Sequence, residues 1–189
     1  MAMPRALQLR GVRKRFVAGT GSCLASADVL RGIDLDLDCG ESVAVVGAAG
    51  SGKSTLLLCA SGLIRSDAGT TTWFGDSAPF AAATRVRYCF SVGDLASVVA
   101  NDEARLYLVD LPPAIGMSAT VVDWVGEQCE TGSAVLIAAR DERLVHRAAD
   151  RVLTISGGIL HSTRSIQSRV AESVVSVRRR FVDHLSGGL

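Results

Sequence analysis

The sequence predicts an α/β fold: a parallel core sheet flanked by helices, preceded by an antiparallel β portion. Three observations predict it. Leu7 to Phe16 and Val29 to Asp38 read as half-buried strands, the second alternating Ile33, Leu35 and Leu37 with Asp34, Asp36 and Asp38. Ser42 to Val46 (SVAVV) is a continuous apolar run suited to a strand covered on both faces, and the pattern switches at once to the helical KSTLLLCASGL. Further apolar runs, RLYLVD and SAVLIAA, then alternate with segments of helical spacing.

Taken in order, the segment AGTGSCLASAD between the first two strands has loop composition, and Cys39-Gly40 punctuates the second strand. TTTWFG and TRVRYCF predict short strands. Ser118 to Glu130 predicts a helix that stacks Val121, Val125 and Cys129, and Asp141 to Ala149 predicts another. RVLTI, Gly157-Gly158 and ILHS predict a hairpin. From Ser165 onward, Ile166, Val170, Val174, Val177, Phe181 and Leu185 form one apolar stripe on a basic segment. The expected organisation is a domain over 1–163 and a basic amphipathic helix over 164–189. That helix packs on its own domain, contacts a second copy or docks on a membrane surface, in that order of preference.

With 189 residues, 48% of them hydrophobic and 21% charged, the chain has material for one core, which excludes intrinsic disorder. The formal net charge of +1 supplies no global field for nucleic acid, so no nucleic-acid partner is expected. The richest apolar stretches fall short of the roughly 20 residues that a membrane span needs, and the five cysteines form no C-x-x-C pair. These features predict a cytoplasmic protein with free thiols. His146, His161 and His184 have no metal-ligand spacing and are assigned no chemistry.

The strongest chemical signal is Gly47-Ala48-Ala49-Gly50-Ser51-Gly52-Lys53-Ser54-Thr55, which satisfies G-x-x-x-x-G-K-[ST] between a buried strand and a helix. Glycines let the backbone wrap a phosphate with its N–H groups inward, and the helix start adds the positive end of its dipole. Lys53 is one of only two lysines against 18 arginines, so a lysine here is a minority choice. It is expected to reach the β and γ phosphates, with the Ser54 hydroxyl on Mg²⁺. A plain strand-to-helix turn would need neither three glycines nor this lysine. The fold expected is therefore P-loop NTPase-like, and Asp110, closing RLYLVD, is the second metal candidate.

These residues resemble the ATP-binding domain of ABC-transporter ATPases. LRGVRKRF, then VLRGIDLDLDCGESVAVVGAAGSGKSTLLLCASGL, then DAGTTTWFG are similar to that family over roughly the first 75 positions. The resemblance implies ATP and Mg²⁺ as ligands, with Phe16 at the position of an adenine-stacking aromatic; an ordinary core phenylalanine explains Phe16 equally well. It resumes from about Arg105 to Leu160, where RLYLVDLP resembles the metal-aspartate strand and AARDERLVHRAADRVLTISGGIL the switch-histidine strand, helix and hairpin. Here the chain departs from the family. Leu111 replaces the glutamate that polarises water, Arg140 the switch histidine, and Ser91 the glutamine.

Only 19 positions separate Ser91 from Asp110, too few for the family's helical subdomain and its LSGGQ-like signature. Leu185-Ser186-Gly187-Gly188-Leu189 is a chance likeness, with no helix after it to aim amides at phosphate. The resemblance thus implies an ATP-Mg²⁺-binding domain with weak or absent hydrolysis, acting as an accessory or regulatory subunit, with no catalytic residue assigned. The alternatives are the ATPase half of an asymmetric heterodimer with an intact ABC ATPase, a small P-loop phosphotransferase, and a non-catalytic interaction scaffold. A homodimer is also open, and a permease partner would place the protein peripherally at the membrane.

Overall fold

A computed structural model describes residues 5–20, 23–77, 84–91, 94–95, 104–110, 118–140, 143 and 145–162. Two sheets organise them. The first is antiparallel, in the order β2-β1-β4, built from β1 (Arg5–Thr20), β2 (Cys23–Asp38) and β4 (Ala68–Trp73). The second has the order β5-β6-β7-β3-β8-β9, from β3 (Ser42–Val46), β5 (Val86–Cys89), β6 (Leu106–Asp110), β7 (Ala134–Ala139), β8 (Arg151–Ser156) and β9 (Ile159–Ser162). Its pairings are parallel except for the closing β8–β9 hairpin.

The alternation in the first sheet does what the pattern requires. Leu7, Leu9 and Val12 of β1 and Ile33, Leu35 and Leu37 of β2 are buried, while Asp34 is exposed and Asp36 and Asp38 are half-buried. Asp36 is tied to Arg10, whose Nη2 donates to both carboxylate oxygens at 2.7 and 2.8 Å, and to Arg5 at 3.1 Å. All five residues of β3 are buried, because parallel neighbours flank the strand and side chains cover both faces.

Helix α1 (Lys53–Ala60) follows β3 and buries Leu56, Leu57, Cys59 and Ala60 between the two sheets' inner faces. On the other face of the parallel sheet, α2 (Ala119–Glu130) buries Val121, Trp124 and Val125. Ser118 caps it by accepting from the Val121 N–H at 3.4 Å, and Trp124 meets Tyr107 of β6 edge-on with ring centroids 5.2 Å apart.

Two expectations need correction. The stretch AGTGSCLASAD is not a free loop: β1 continues to Thr20 and β2 begins at Cys23, with Phe16 paired to Ala27 and Thr20 to Cys23. Backbone pairing in a long hairpin extends past the point where side-chain alternation fades, because ladder hydrogen bonds need no side chain. Nor is an α-helix formed among the described residues between Asp141 and Ala149: Arg143 lies in a 3-10 turn, residues 145–148 are turns, and Val145 and Ala148 are buried against the parallel sheet. Two apolar anchors at helical spacing are equally served by successive turns. The C-terminal segment over 164–189, and the division made at it, lie outside the described residues.

Candidate functional site

The site is built where parallel strands end. Val46 of β3 pairs with Ala139 of β7, and the Gly47 N–H donates to the Ala139 carbonyl at 3.2 Å, so the first residue of the Gly-rich loop is fixed to the end of β7. Asp110 pairs with Ala138 at the end of the next strand, β6. The loop, Arg140 and Asp110 therefore share the C-terminal edge of three neighbouring strands, where open α/β sheets bind ligands.

Within the loop, two glycines are dictated by contact. A Cβ on Gly47 would lie 2.4 Å from the Ile155 carbonyl oxygen of β8. Gly52 has φ +106°, and a Cβ there would stand 2.9 Å from the Val29 carbonyl oxygen of β2. Gly52 also caps α1 through its backbone alone, and its carbonyl accepts from the Leu56 N–H at 2.8 Å. The N–H groups of Ala49, Gly50, Gly52, Lys53 and Ser54 make no hydrogen bond to any described residue. Donors left over at a loop and helix start form an anion nest.

Lys53 turns back into this loop. Its ammonium donates to the carbonyls of Gly47 and Ala48, both at 2.7 Å, and to Ser51 Oγ at 3.4 Å. Burial is the main reason that its pKa lies below the usual lysine value; Arg140 pushes it the same way and Asp110 opposes them. The three charged groups thus act on one another across the edge of the sheet. Ser54 is exposed on the first turn of α1, and Asp110 is half-buried.

The phenolic hydroxyl of Tyr88, at the end of β5, donates to Asp110 Oδ2 at 2.9 Å. Burial first, and then the Asp110 charge and this bond, raise the Tyr88 pKa, so the hydroxyl stays protonated as a donor. Sequence reasoning missed this residue. Its signal was a lone tyrosine in a strand that pairs in parallel with the aspartate's own. An alcohol and a carboxylate are hard oxygen ligands of the kind Mg²⁺ takes alongside phosphate oxygens and water, so Ser54 and Asp110 fit that ion. No group of three or more His, Cys, Asp or Glu that could hold a metal occurs among the described residues.

Phe16 is 45% exposed and lies away from the core, with the Lys14 ammonium 5.5 Å from its ring centroid. Ser91 is engaged locally: its N–H donates to Asp94 Oδ2 at 2.8 Å, and its Oγ accepts from the Asp94 N–H at 3.1 Å. Arg140 is exposed. Leu111 and Leu185 to Leu189 lie outside the described residues. β5 ends at Cys89 and β6 begins at Leu106, and the two strands are adjacent parallel neighbours. Cys39, Cys59, Cys89 and Cys129 form no disulfide among the described residues, and burial pushes the thiols of Cys59 and Cys129 up to about 11, which removes them from nucleophilic chemistry near neutral pH.

A parallel sheet, a Gly-rich loop with an inward lysine, and an aspartate on the neighbouring edge define a P-loop nucleotide-binding fold. The family model described as ABC transporter matches residues 30–188, and the chain belongs to that family. The aliphatic sulfonates import ATP-binding protein SsuB of Corynebacterium glutamicum is 30% identical over 165 residues, 84% of this chain and 53% of that protein. The macrolide export ATP-binding/permease protein MacB of Nitrosomonas europaea is 42% identical over 74 residues, 39% of this chain and 11% of that protein. The chain thus spans about half or less of the length of these curated relatives.

Among solved structures, cbiO1 of Clostridium perfringens, part of the cbiONQ transporter complex, superposes with a TM-score of 0.67 at 17% identity, covering 96% of this chain and 98% of that one. The ATP-binding cassette MJ0796, dimeric and bound to ADP and Pi, gives 0.64 at 13% identity over 86% of this chain and 99% of that one. These likenesses establish the cassette fold. No helix among the described residues is long and apolar enough to cross a membrane.

Proposed function

We propose that this chain binds ATP with Mg²⁺ through residues 47–55 and serves as an accessory or regulatory ATP-binding subunit with little or no hydrolysis of its own. The observation that carries the reading is the loop: five backbone N–H groups with no partner among the described residues and an inward lysine at a helix start. Such a nest matches a polyphosphate in charge and shape. On binding, Lys53 exchanges its loop carbonyls for phosphate oxygens, and Ser54 and Asp110 hold the metal that neutralises the β and γ phosphates. Phe16, exposed on β1 beyond its pairing with β4, offers its ring to the base. Thr55 completes the helix start.

The hydrolytic side of the reading rests on residue types. Leu111 has no group that accepts a proton. Arg140 carries a fixed charge that attracts phosphate but cannot move protons near neutral pH. The partner we assign is a second cassette, a copy of this chain or an intact ABC ATPase, joined to a permease that brings this cytoplasmic protein to the membrane. The dimeric state of the similar cassette MJ0796 supports it.

Titration calorimetry with Mg-ATP on wild type and Lys53→Ala tests the binding. Loss of a charge-assisted contact costs about 1.5 to 3 kcal/mol, so affinity should fall roughly ten-fold or more. Absence of measurable binding by the wild type overturns the reading and leaves the interaction scaffold.

A further inference from the structure

The β1–β2 hairpin carries a second feature that the nucleotide site does not use. Arg13 of β1 and Arg31 of β2 stand directly opposite each other in the antiparallel register, on one face of the sheet. Like charges in that position repel and destabilise a sheet. Neither guanidinium is ion-paired with a carboxylate among the described residues. The nearby acids are committed elsewhere: Asp28 to Arg15 at 2.6 Å and Asp67 to Lys14 at 2.9 Å.

Both side chains are exposed and lie beside glycines. The Arg13 guanidinium lies over Gly32, where a Cβ would come within 3.4 Å of Nη2. The stem of Arg31 lies over Gly158 of the β8–β9 turn, where a Cβ would stand 3.2 Å from Arg31 Cγ, and the Arg31 N–H donates to the Gly158 carbonyl at 2.8 Å. Both glycines have positive φ, +95° and +77°, so a side chain at either would be strained as well as crowding the arginine. Between these side chains and the two ion pairs lies a cavity of about 510 Å³, lined also by Leu30 and Val17. That is the size of a small-molecule site, and its net charge is positive: Arg13, Lys14, Arg15 and Arg31 against Asp28 and Asp67.

We infer that this pocket is a binding site for a small phosphate-bearing ligand, separate from the Gly-rich loop, in which Arg13 and Arg31, opposite each other in the register and both lining the cavity, bind the phosphoryl oxygens. Two planar forks brought together suit a phosphate, which relieves their repulsion and accepts from both. The pocket borders the loop's support, since Leu30 would contact a Cβ on Gly52 at 3.2 Å and the Val29 carbonyl at 2.9 Å. A ligand here therefore stiffens the segment of β2 on which the nucleotide loop rests, which gives it a regulatory position. The inference rests on the proposed nucleotide role only for that last step.

Pyrophosphate is the probe, titrated at constant ionic strength into wild type, Lys53→Ala, Arg13→Gln, Arg31→Gln, and Lys53→Ala combined with Arg13→Gln, Arg31→Gln or Arg13→Lys, because the Gly-rich loop also takes polyphosphates. Lys53→Ala should lose Mg-ATP affinity and keep pyrophosphate binding, whereas Arg13→Gln or Arg31→Gln added to Lys53→Ala should weaken the remaining pyrophosphate binding about ten-fold or more, and each alone should leave Mg-ATP affinity unchanged. Arg13→Lys in the same background, keeping charge without the fork, should fall between. Without the anion, Arg31→Gln should raise the melting temperature by removing the cross-strand repulsion, and pyrophosphate should raise that of Lys53→Ala but not of its combination with Arg31→Gln.

Loss of all pyrophosphate binding in Lys53→Ala, or pyrophosphate binding that stays undiminished when either glutamine substitution is added to Lys53→Ala, overturns the separate site. So does a parallel loss of Mg-ATP and pyrophosphate in the arginine variants, which would make the pocket part of the nucleotide site. Arginine-dependent binding to phosphatidylglycerol vesicles without binding of pyrophosphate overturns it in favour of a membrane surface. Undiminished Mg-ATP binding by Lys53→Ala instead overturns the nucleotide reading, whatever pyrophosphate does.

Discussion

The Tyr88 hydroxyl holds Asp110 by one carboxylate oxygen, Oδ2, at 2.9 Å, so the neighbouring strand β5 fixes the orientation of the acid proposed to meet the metal. A carboxylate pinned through one oxygen presents the other in a set direction, which is how outer groups tune a metal site. Tyr88 is in this sense a positioning residue.

Tyr88→Phe removes that bond and keeps the ring. The expected result is a roughly three- to ten-fold smaller gain in ATP affinity on adding Mg²⁺, on the scale of about 1 kcal/mol for a hydrogen bond, with metal-free nucleotide binding little changed. Calorimetric titration with Mg²⁺ and with a chelator separates the two. Equal losses in both would show that Tyr88 supports the fold rather than the metal.

The base platform is tested at Phe16. Because the ring is already largely exposed, Phe16→Ala should cost little folding stability, and its effect should fall on nucleotide affinity. Loss of a stacking face should weaken ATP by about 1 to 3 kcal/mol, the range for base–aromatic stacking. Inorganic triphosphate, which has no base, should bind wild type and variant alike. If ATP also binds alike, the stacking role is wrong.

How much of this was legible in the sequence follows from how local each signal is. The phosphate loop was readable because its whole pattern falls within nine consecutive residues, Gly47 to Thr55, although the carbonyls of Ile155 and Val29 that forbid side chains at Gly47 and Gly52 lie far away in sequence. SVAVV announced its burial because a strand covered on both faces has no polar option. The hairpin extension through Thr20 was not legible, since backbone pairing leaves no trace in side chains such as Ala18 and Gly19. The Tyr88–Asp110 bond and the facing Arg13 and Arg31 were hidden for a different reason. Each joins residues on separate strands, and only the register decides who meets whom.

Acid stability is expected to depend on Asp36. The Arg10 hydrogen bond, with Gln8 and the charges of Arg10 and Arg5, outweighs burial and holds its folded pKa below the usual carboxylate value. The sign follows: the contribution is fully present above the unfolded pKa, near 4, and is lost as pH falls through the lower folded value. Asp36→Asn should therefore lower stability at pH 7 by about 1 kcal/mol, given partial exposure and screening, and the difference from wild type should vanish in strong acid. Denaturant melts of both proteins between pH 7 and pH 2 measure it; a difference that persists unchanged at the lowest pH would rule the linkage out.

The chemistry is tested by turnover. The purified chain should show negligible ATP hydrolysis on the proposed reading, in which Leu111, Arg140 and Ser91 take the positions that the resemblance gives to the groups ordering water and γ-phosphate, and only residues 90–105 lie between β5 and β6. Loss of a general base commonly forfeits about 10² to 10⁴ in rate, and losses within one catalytic unit do not simply multiply. Leu111→Glu should accordingly leave Mg-ATP affinity unchanged and restore no turnover in the single protein, since the group that closes over the γ-phosphate from a second cassette is still needed. Asp94 is a poor substitute base: the Phe90 and Ser91 N–H groups that it accepts hold its pKa below the carboxylate range, so it has little affinity for a proton at neutral pH. A phosphate-release assay on wild type, Lys53→Ala and Leu111→Glu decides the matter. Turnover by wild type that disappears with Lys53 would reject the non-hydrolytic reading and move the search for a base to Asp102 and Glu103.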